Sequence, residues 1–127
     1  MMLDLIFGKS IRILISKFII LILKLKGVKV GKNVLIKIAP ELKINGKYSN
    51  IIIEDNVKIL GKVDIRNREN GKIIFKSNST LEANCRIVSP NNSIIQIGSN
   101  TVICQGTVIN GGGDVFIGNN CIIGPFN

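Results

Sequence analysis

At 127 residues the chain has room for one modest domain, and 46% apolar residues with a positive mean hydropathy exclude intrinsic disorder. The complete absence of histidine excludes Ser–His triads, Cys–His dyads and every His-ligated metal site, and no phosphate-binding GxxxxGK or GxGxxG run is present. A net charge of +9 raises the question of an anionic partner, and the distribution of that charge along the chain bears on the answer.

Residues 3–26, LDLIFGKSIRILISKFIILILKLK, read as one amphipathic α-helix closed by Gly27 as its C-terminal cap. At about 100° per residue, Leu3, Phe7, Ile11, Leu14, Ile15, Phe18, Leu21, Ile22 and Leu25 fall in one stripe about 120° wide. Lys9, Arg12, Ser16, Lys17 and Lys24 lie on the other side. A membrane span needs roughly 20 mostly apolar residues, whereas Arg12, Lys17 and Lys24 interrupt this segment. A signal peptide would need a small-residue cleavage site after its apolar core, and none follows.

Two compatible roles remain for residues 1–27. One is a cap over the end of the domain, with the apolar stripe covered by the first coil around Val30, Ile36 and Ile38. The other is an interfacial helix on the anionic, cytoplasmic face of the cell membrane. Seven of the seventeen Lys and Arg residues occur by Lys32, against Asp4 alone, so +6 of the net charge lies there. A basic amphipathic helix suits a phospholipid surface, and a helix of about 36 Å is expected to overhang a narrow coil end and leave part of the Phe7–Ile11–Leu14–Phe18 surface uncovered. Beyond residue 32 the cations are scattered and aromatics are few, which argues against nucleic acid.

From Val30 onward the chain repeats. VGKNVL (30–35), IEDNVK (53–58), FKSNST (75–80), IGSNTV (97–102) and IGNNCI (117–122) each begin with a large apolar residue and carry Asn fourth: Asn33, Asn56, Asn78, Asn100 and Asn120. The starts are 23, 22, 22 and 20 residues apart. Apolar residues also recur every six: Ile53, Ile59, Ile65; Phe75, Leu81, Ile87; Ile97, Ile103, Ile109; Ile117, Ile123. Ile51, Ile73, Ile95 and Val115 stand two residues before a hexad, which is strand alternation. Each hexad is therefore a short strand and a corner, and three of them close one triangular coil. The expected fold for residues 28–127 is an all-β solenoid with the hexad starts buried and Lys58, Lys62 and Lys76 exposed. Asn serves the corners because it tolerates left-handed backbone, and the extra residues YSNI, NGK and GDV are turns at one corner.

The hexad pattern, an aliphatic residue, then Gly, Ala, Glu or Asp, two free positions and a small residue, is seen in IGSNTV, IGNNCI and LEANCR. It resembles the hexapeptide-repeat acyltransferases, and the basic apolar helix before it is similar to the lead-in of members that O-acetylate sugars of bacterial surface polysaccharides. The resemblance implies a left-handed parallel β-helix, a homotrimer with sites between subunits, and acetyl-CoA as donor. It further implies a hydroxyl of a sugar or lipid-linked saccharide as acceptor, a cytoplasmic location and a histidine general base. That base usually follows an IGP hexad like Ile123, Gly124 and Pro125, and no histidine is present to take the role. The expectation is thus an amino-terminal portion whose coils are incomplete at residue 127, with the catalytic histidine beyond it, no metal, and no acetyl transfer by these residues alone. The rival expectation is a non-catalytic β-helix used as a scaffold or assembly partner. The β-helical carbonic anhydrase relatives need three histidine ligands and are set aside.

Other features read as structural first. Residues 110–114, NGGGD, are either a nest in which Gly111, Gly112 and Gly113 bind a phosphate of the donor or, as the repeat favours, a corner bulge. Residues 64–69, DIRNRE, depart from a tidy hexad and suggest a protruding, self-paired loop, with contact to a phosphorylated acceptor as the functional alternative. Cys85, Cys104 and Cys121 follow no metal spacing and read as small buried thiols. Asp114 and Glu82 are the carboxylates considered as a base, with nothing in the sequence to pair or desolvate them.

Overall fold

Short runs of branched residues, separated by Asn and Gly corners, lead the chain round three faces again and again. The structure is a computed structural model that describes the backbone from Met2 to Asn127 and the side chains from Gly8 onward. Leu3, Asp4 and Phe7 therefore fall outside the described side chains. Helix α1 (Met2–Lys26) leads into the coils. The first face holds β1 (Lys29–Val30), β4 (Ile51–Ile53), β7 (Lys72–Phe75), β10 (Ile94–Ile97) and β13 (Val115–Ile117). The second holds β2 (Leu35–Ile36), β5 (Lys58–Ile59), β8 (Thr80–Leu81), β11 (Val102–Ile103) and β14 (Ile122–Ile123). The third holds β3 (Glu41–Asn45), β6 (Asp64–Arg68), β9 (Arg86–Ser89) and β12 (Val108–Asn110). All neighbours are parallel, and the whole is a left-handed parallel β-helix of about four turns preceded by a helix.

The register is the one the six-residue spacing predicts. On the first face Val30 pairs with Ile53, Ile53 with Phe75, Phe75 with Ile97, and Ile97 with Ile117. On the second the row runs Ile36, Ile59, Leu81, Ile103, Ile123, and on the third Leu42, Ile65, Ile87, Ile109. Ile53, Ile59, Phe75, Leu81, Ile97 and Ile103 are all at most 2% exposed, so these rows are the core. Asn33, Asn56, Asn78, Asn100 and Asn120 all adopt φ between 56° and 64°, the left-handed corner conformation. The fifth position of each hexad turns inward behind them. Val57, Ser79 and Thr101 fill one corner in successive coils and are fully buried.

Corner amides find partners one coil away. Asp55 Oδ1 accepts from Lys32 N at 2.8 Å, Glu54 Oε1 from Ser77 N at 3.2 Å and Asn119 Oδ1 from Ser99 N at 2.8 Å. Side chains thus supply the hydrogen bonds that the ladder cannot make where the chain bends. The YSNI insertion becomes a short 3-10 turn, Tyr48–Asn50, at the expected corner.

Helix α1 ends as its sequence predicts. Gly27 has φ +110°, its N–H donates to Lys24 O and Val28 N–H donates to Leu23 O, both at 3.0 Å, which is a Schellman cap. Ile11, Leu14 and Phe18 are uncovered, as the overhang predicts, but the face laid on the first coil is not the apolar stripe. Ser16, Ile19 and Leu23 are buried, whereas Ile11, Leu14, Ile15, Phe18, Leu21, Ile22 and Leu25 all face outward. Ile38, expected beneath the stripe, is itself 50% exposed. Ser16 settles the docking: its Oγ accepts the N–H of Ile36 at 2.9 Å in a buried setting. Strand β2 has no strand on that side, so without Ser16 this donor would be orphaned.

Three smaller expectations change. Ile117 is half-buried rather than buried, because β13 has a neighbour on one side only. Lys76 is half-buried because its ammonium lies 3.3 Å from Glu54, while Lys58 and Lys62 are exposed as expected. Residues 64–68 are a regular strand, β6, and not a protruding loop. Asn67 points inward at 1% exposure, its amide accepting from Asn45 N at 3.0 Å and donating to Gly71 O at 3.1 Å, so a polar residue fills a core position with its oxygen and nitrogen each bonded.

Two substitutions test this packing. Ile59→Ala, in the middle of a row, is expected to lower unfolding stability by about 2–5 kcal/mol in urea titration. Ser16→Ala is expected to cost about 1–3 kcal/mol by leaving the Ile36 amide unpaired, whereas the same change at the exposed Ser10 leaves stability within about 0.5 kcal/mol. Equal effects at Ser16 and Ser10 would refute the docked face.

Candidate functional site

Acyl transfer to a hydroxyl asks for a base with a free lone pair, or an activated nucleophile, beside a groove. Each of the carboxylates considered as bases has one oxygen committed to a corner amide of the coil. Glu82 Oε1 accepts the N–H of Gln105 at 3.0 Å, and Asp114 Oδ1 accepts that of Ile94 at 2.8 Å. Both do for their corners what Asp55 and Glu54 do for theirs. No group of three or more Cys, Asp or Glu side chains able to hold a metal occurs among the described residues.

Neither Cys85 nor Cys104 is an activated thiol. All three cysteines are free. Burial pushes the Cys85 thiol up from its ordinary value, and Cys104 is raised by desolvation and by the neighbouring Glu82 carboxylate. A nucleophilic cysteine needs the opposite shift. Cys85 is buried as expected, with its sulfur 3.2 Å from Cys104 O, while Cys104 and Cys121 are half-buried.

Residues 110–114 join β12 to β13 at the corner between the third and first faces. Gly111 is buried and its N–H donates to Val88 O at 3.2 Å, and a Cβ there would come within 2.7 Å of Gly113 O. That close approach explains the first glycine. Gly112 and Gly113 are exposed, with nothing within 4 Å of a built Cβ. None of the three has a positive φ, so the alternation of hand that aims successive amides at one anion is not formed here.

The best-defined charged cluster lies on the third face. Arg66 grips Asp64 with two nitrogens, Nε to Oδ1 at 3.0 Å and Nη2 to Oδ2 at 2.9 Å, and Arg86 Nε stands 3.9 Å from the same carboxylate. The hydrogen bond from Arg66 holds Asp64 below its ordinary 3.8, ahead of the opposing effect of desolvation. The cluster is self-paired, as the sequence suggested. A groove of about 220 Å³ beside it is lined by Lys62, Asn84 and Cys85, and another of about 330 Å³ by Lys43, Asn45 and Arg68.

A groove of about 600 Å³ runs between α1 and the first coil. Lys17, Lys24 and Lys32 line it together with Ile20, Val34 and Asp55. The sequence reading counted these cations but did not bring them together. The available signal was the seven-residue spacing of Lys17 and Lys24, two turns on one flank of a helix. Ser16 was also missed, since a lone serine carries no sign of which way its face turns.

Comparison with protein families, curated proteins and solved structures finds no match to this chain.

The pH dependence of the Asp64 pair follows from the sign of its shift. A carboxyl held below its unfolded value contributes stability above about pH 4, and that contribution is lost as the pH falls through its folded value. Asp64→Asn should therefore be less stable than the parent at neutral pH, with the difference shrinking as the pH falls below 3.8. A gap that widens in acid would contradict the pairing.

Proposed function

We propose that the chain is an acyltransferase-type β-helix that supports O-acetyl transfer from acetyl-CoA to a hydroxyl of a surface-polysaccharide sugar or its lipid-linked precursor. The observation that carries the reading is the register: five in-phase hexads, resembling those of the hexapeptide-repeat acyltransferases, stack first position on first position. In the transfer the acceptor hydroxyl gives its proton to a base and its oxygen bonds to the acetyl carbonyl. The C–S bond of the thioester breaks, and coenzyme A leaves as the thiol on regaining a proton. These 127 residues hold no histidine. The proposal therefore assigns the base to a histidine outside them. It includes a homotrimer, for which the outward row of the first face, Lys29, Ile52, Ile74, Gln96 and Phe116, offers a mixed surface with Phe116 exposed at its end. It also includes a cytoplasmic location, with which three free thiols agree.

A second reading, a non-catalytic scaffold, is favoured by one specific observation. The carboxylates considered as bases are used as corner acceptors, and the buried thiol is pushed away from its reactive form.

One pair of assays separates the two. Acetyl transfer is measured with these 127 residues alone and with the reading frame continued as far as it runs. The first should show no transfer above background, because general-base catalysis supplies roughly 10²–10⁴ in rate and these residues hold no histidine to act as the base. The second should show transfer to a polysaccharide sugar. Turnover by the 127 residues alone would overturn the assignment of the base. No turnover by either, from folded protein, would leave the scaffold.

A further inference from the structure

Helix α1 is apolar on two faces, and the coil uses only one of them. Taking about 100° per residue, the buried Ser16, Ile19 and Leu23 centre about 130–150° away from the outward stripe of Ile11, Leu14, Ile15, Phe18, Leu21, Ile22 and Leu25. The solenoid therefore stands behind the helix, and the stripe is turned away from it. From Ile11 to Leu25 the stripe runs about 21 Å. Its residues are 38–78% exposed, with Phe18 at 64% and Leu25 at 78%. An outward apolar strip of this kind marks a contact surface.

Its flanks say what the contact is. Lys17 and Lys24 lie about 100–120° from the centre of the stripe on one side, and Lys26 and Arg12 about 80–120° on the other. No Asp or Glu occurs between Gly8 and Lys26. On one flank the groove between helix and coil gathers Lys32 beside Lys17 and Lys24, with the single carboxylate Asp55 at its edge, where it is bonded to the Lys32 amide. A second copy of this chain is a poor occupant. Laying stripe on stripe about a twofold axis would set like rows of cations against each other, with no carboxylate from Gly8 to Lys26 between them. The complementary surface is apolar in the middle and anionic on both sides. No described helix is long and apolar enough to cross a membrane, so the helix would lie along such a surface rather than through it.

We propose that α1 docks this chain on an anionic phospholipid surface, its Ile11–Leu25 stripe sunk to the acyl boundary and Lys17, Lys24 and Lys32 holding lipid phosphates in the groove beside it. Burial of the stripe supplies the apolar part of the affinity, and the cations supply selectivity for anionic headgroups. The inference rests on the helix and the first coil alone. It holds whether or not the coils support acetyl transfer.

The test uses the full chain with phosphatidylcholine vesicles, with and without phosphatidylglycerol. The chain contains no Trp, so Phe18→Trp at the exposed stripe gives a single reporter. Its emission should shift to the blue with anionic vesicles, and the apparent affinity should fall as sodium chloride is raised. Lys17→Glu with Lys24→Glu should weaken co-sedimentation with anionic vesicles at least about 25-fold, at about 5-fold for each cation removed. Leu14→Gln with Leu25→Gln should abolish it while circular dichroism stays unchanged, because both side chains are exposed. Two results would overturn the proposal. One is a reporter that does not shift, or binding indifferent to lipid charge. The other is a stripe variant that lowers the molecular mass in solution without lipid, which would make the stripe a protein interface.

Discussion

The rows of inward side chains, each resting on its counterpart one coil away, are the constraint to which the rest of the molecule answers. The second-face strands are only two residues long and could not persist singly. They persist because Ile36, Ile59, Leu81 and Ile103 form one continuous apolar row with nothing between them. Stability of this kind is carried by nearest neighbours, so a row is strongest in its middle and weakest where it stops. The exposures follow that rule: Ile59 and Ile103 are fully covered, and Ile123, at the end of the same row, is half-buried.

The same constraint accounts for the helix. The first coil has a strand edge with no partner strand and an apolar row with no coil above it. Helix α1 covers both with a small surface: Ile19 and Leu23 close the row, and Ser16 takes the edge amide of Ile36. Periodicity alone selected the broader, more apolar stripe as the packing face. That stripe carries larger and more numerous side chains, and the coil end is narrow. A face with one serine and a few aliphatic residues fits it and also satisfies its free donor. The stripe left outside is a consequence of that choice, not a fault in the helix.

How much of this was legible in the sequence differs by level. The coils were legible because their period is set by local chemistry: an apolar residue in, an Asn able to turn left-handed, a small residue at the corner. Asn33, Asn56, Asn78, Asn100 and Asn120 were found by spacing alone, and all five turn as expected. Residues 64–69 misled because a hexad with Arg, Asn and Arg looks unlike its neighbours. Only the partner coils reveal that Asn67 is a core residue with its amide satisfied by Asn45 and Gly71. Grooves were not legible at all. Lys32 meets Lys17 and Lys24 only because of how the helix is laid down, which Ser16 determines and no period encodes.

The coil also limits what its own side chains can do chemically. A polar group at a corner has two competing uses, to bond an amide of the next coil or to stand free in a groove. Asp55, Glu54, Glu82, Asp114 and Asn119 have all been drawn into the first use, with oxygens 2.8–3.2 Å from backbone nitrogens. Asp64 is held by Arg66 instead. Each gains geometry and loses a lone pair. A β-helix with its corners tied in this way is a rigid surface. In the transfer proposed above, the proton would go to a group that the ladder does not need.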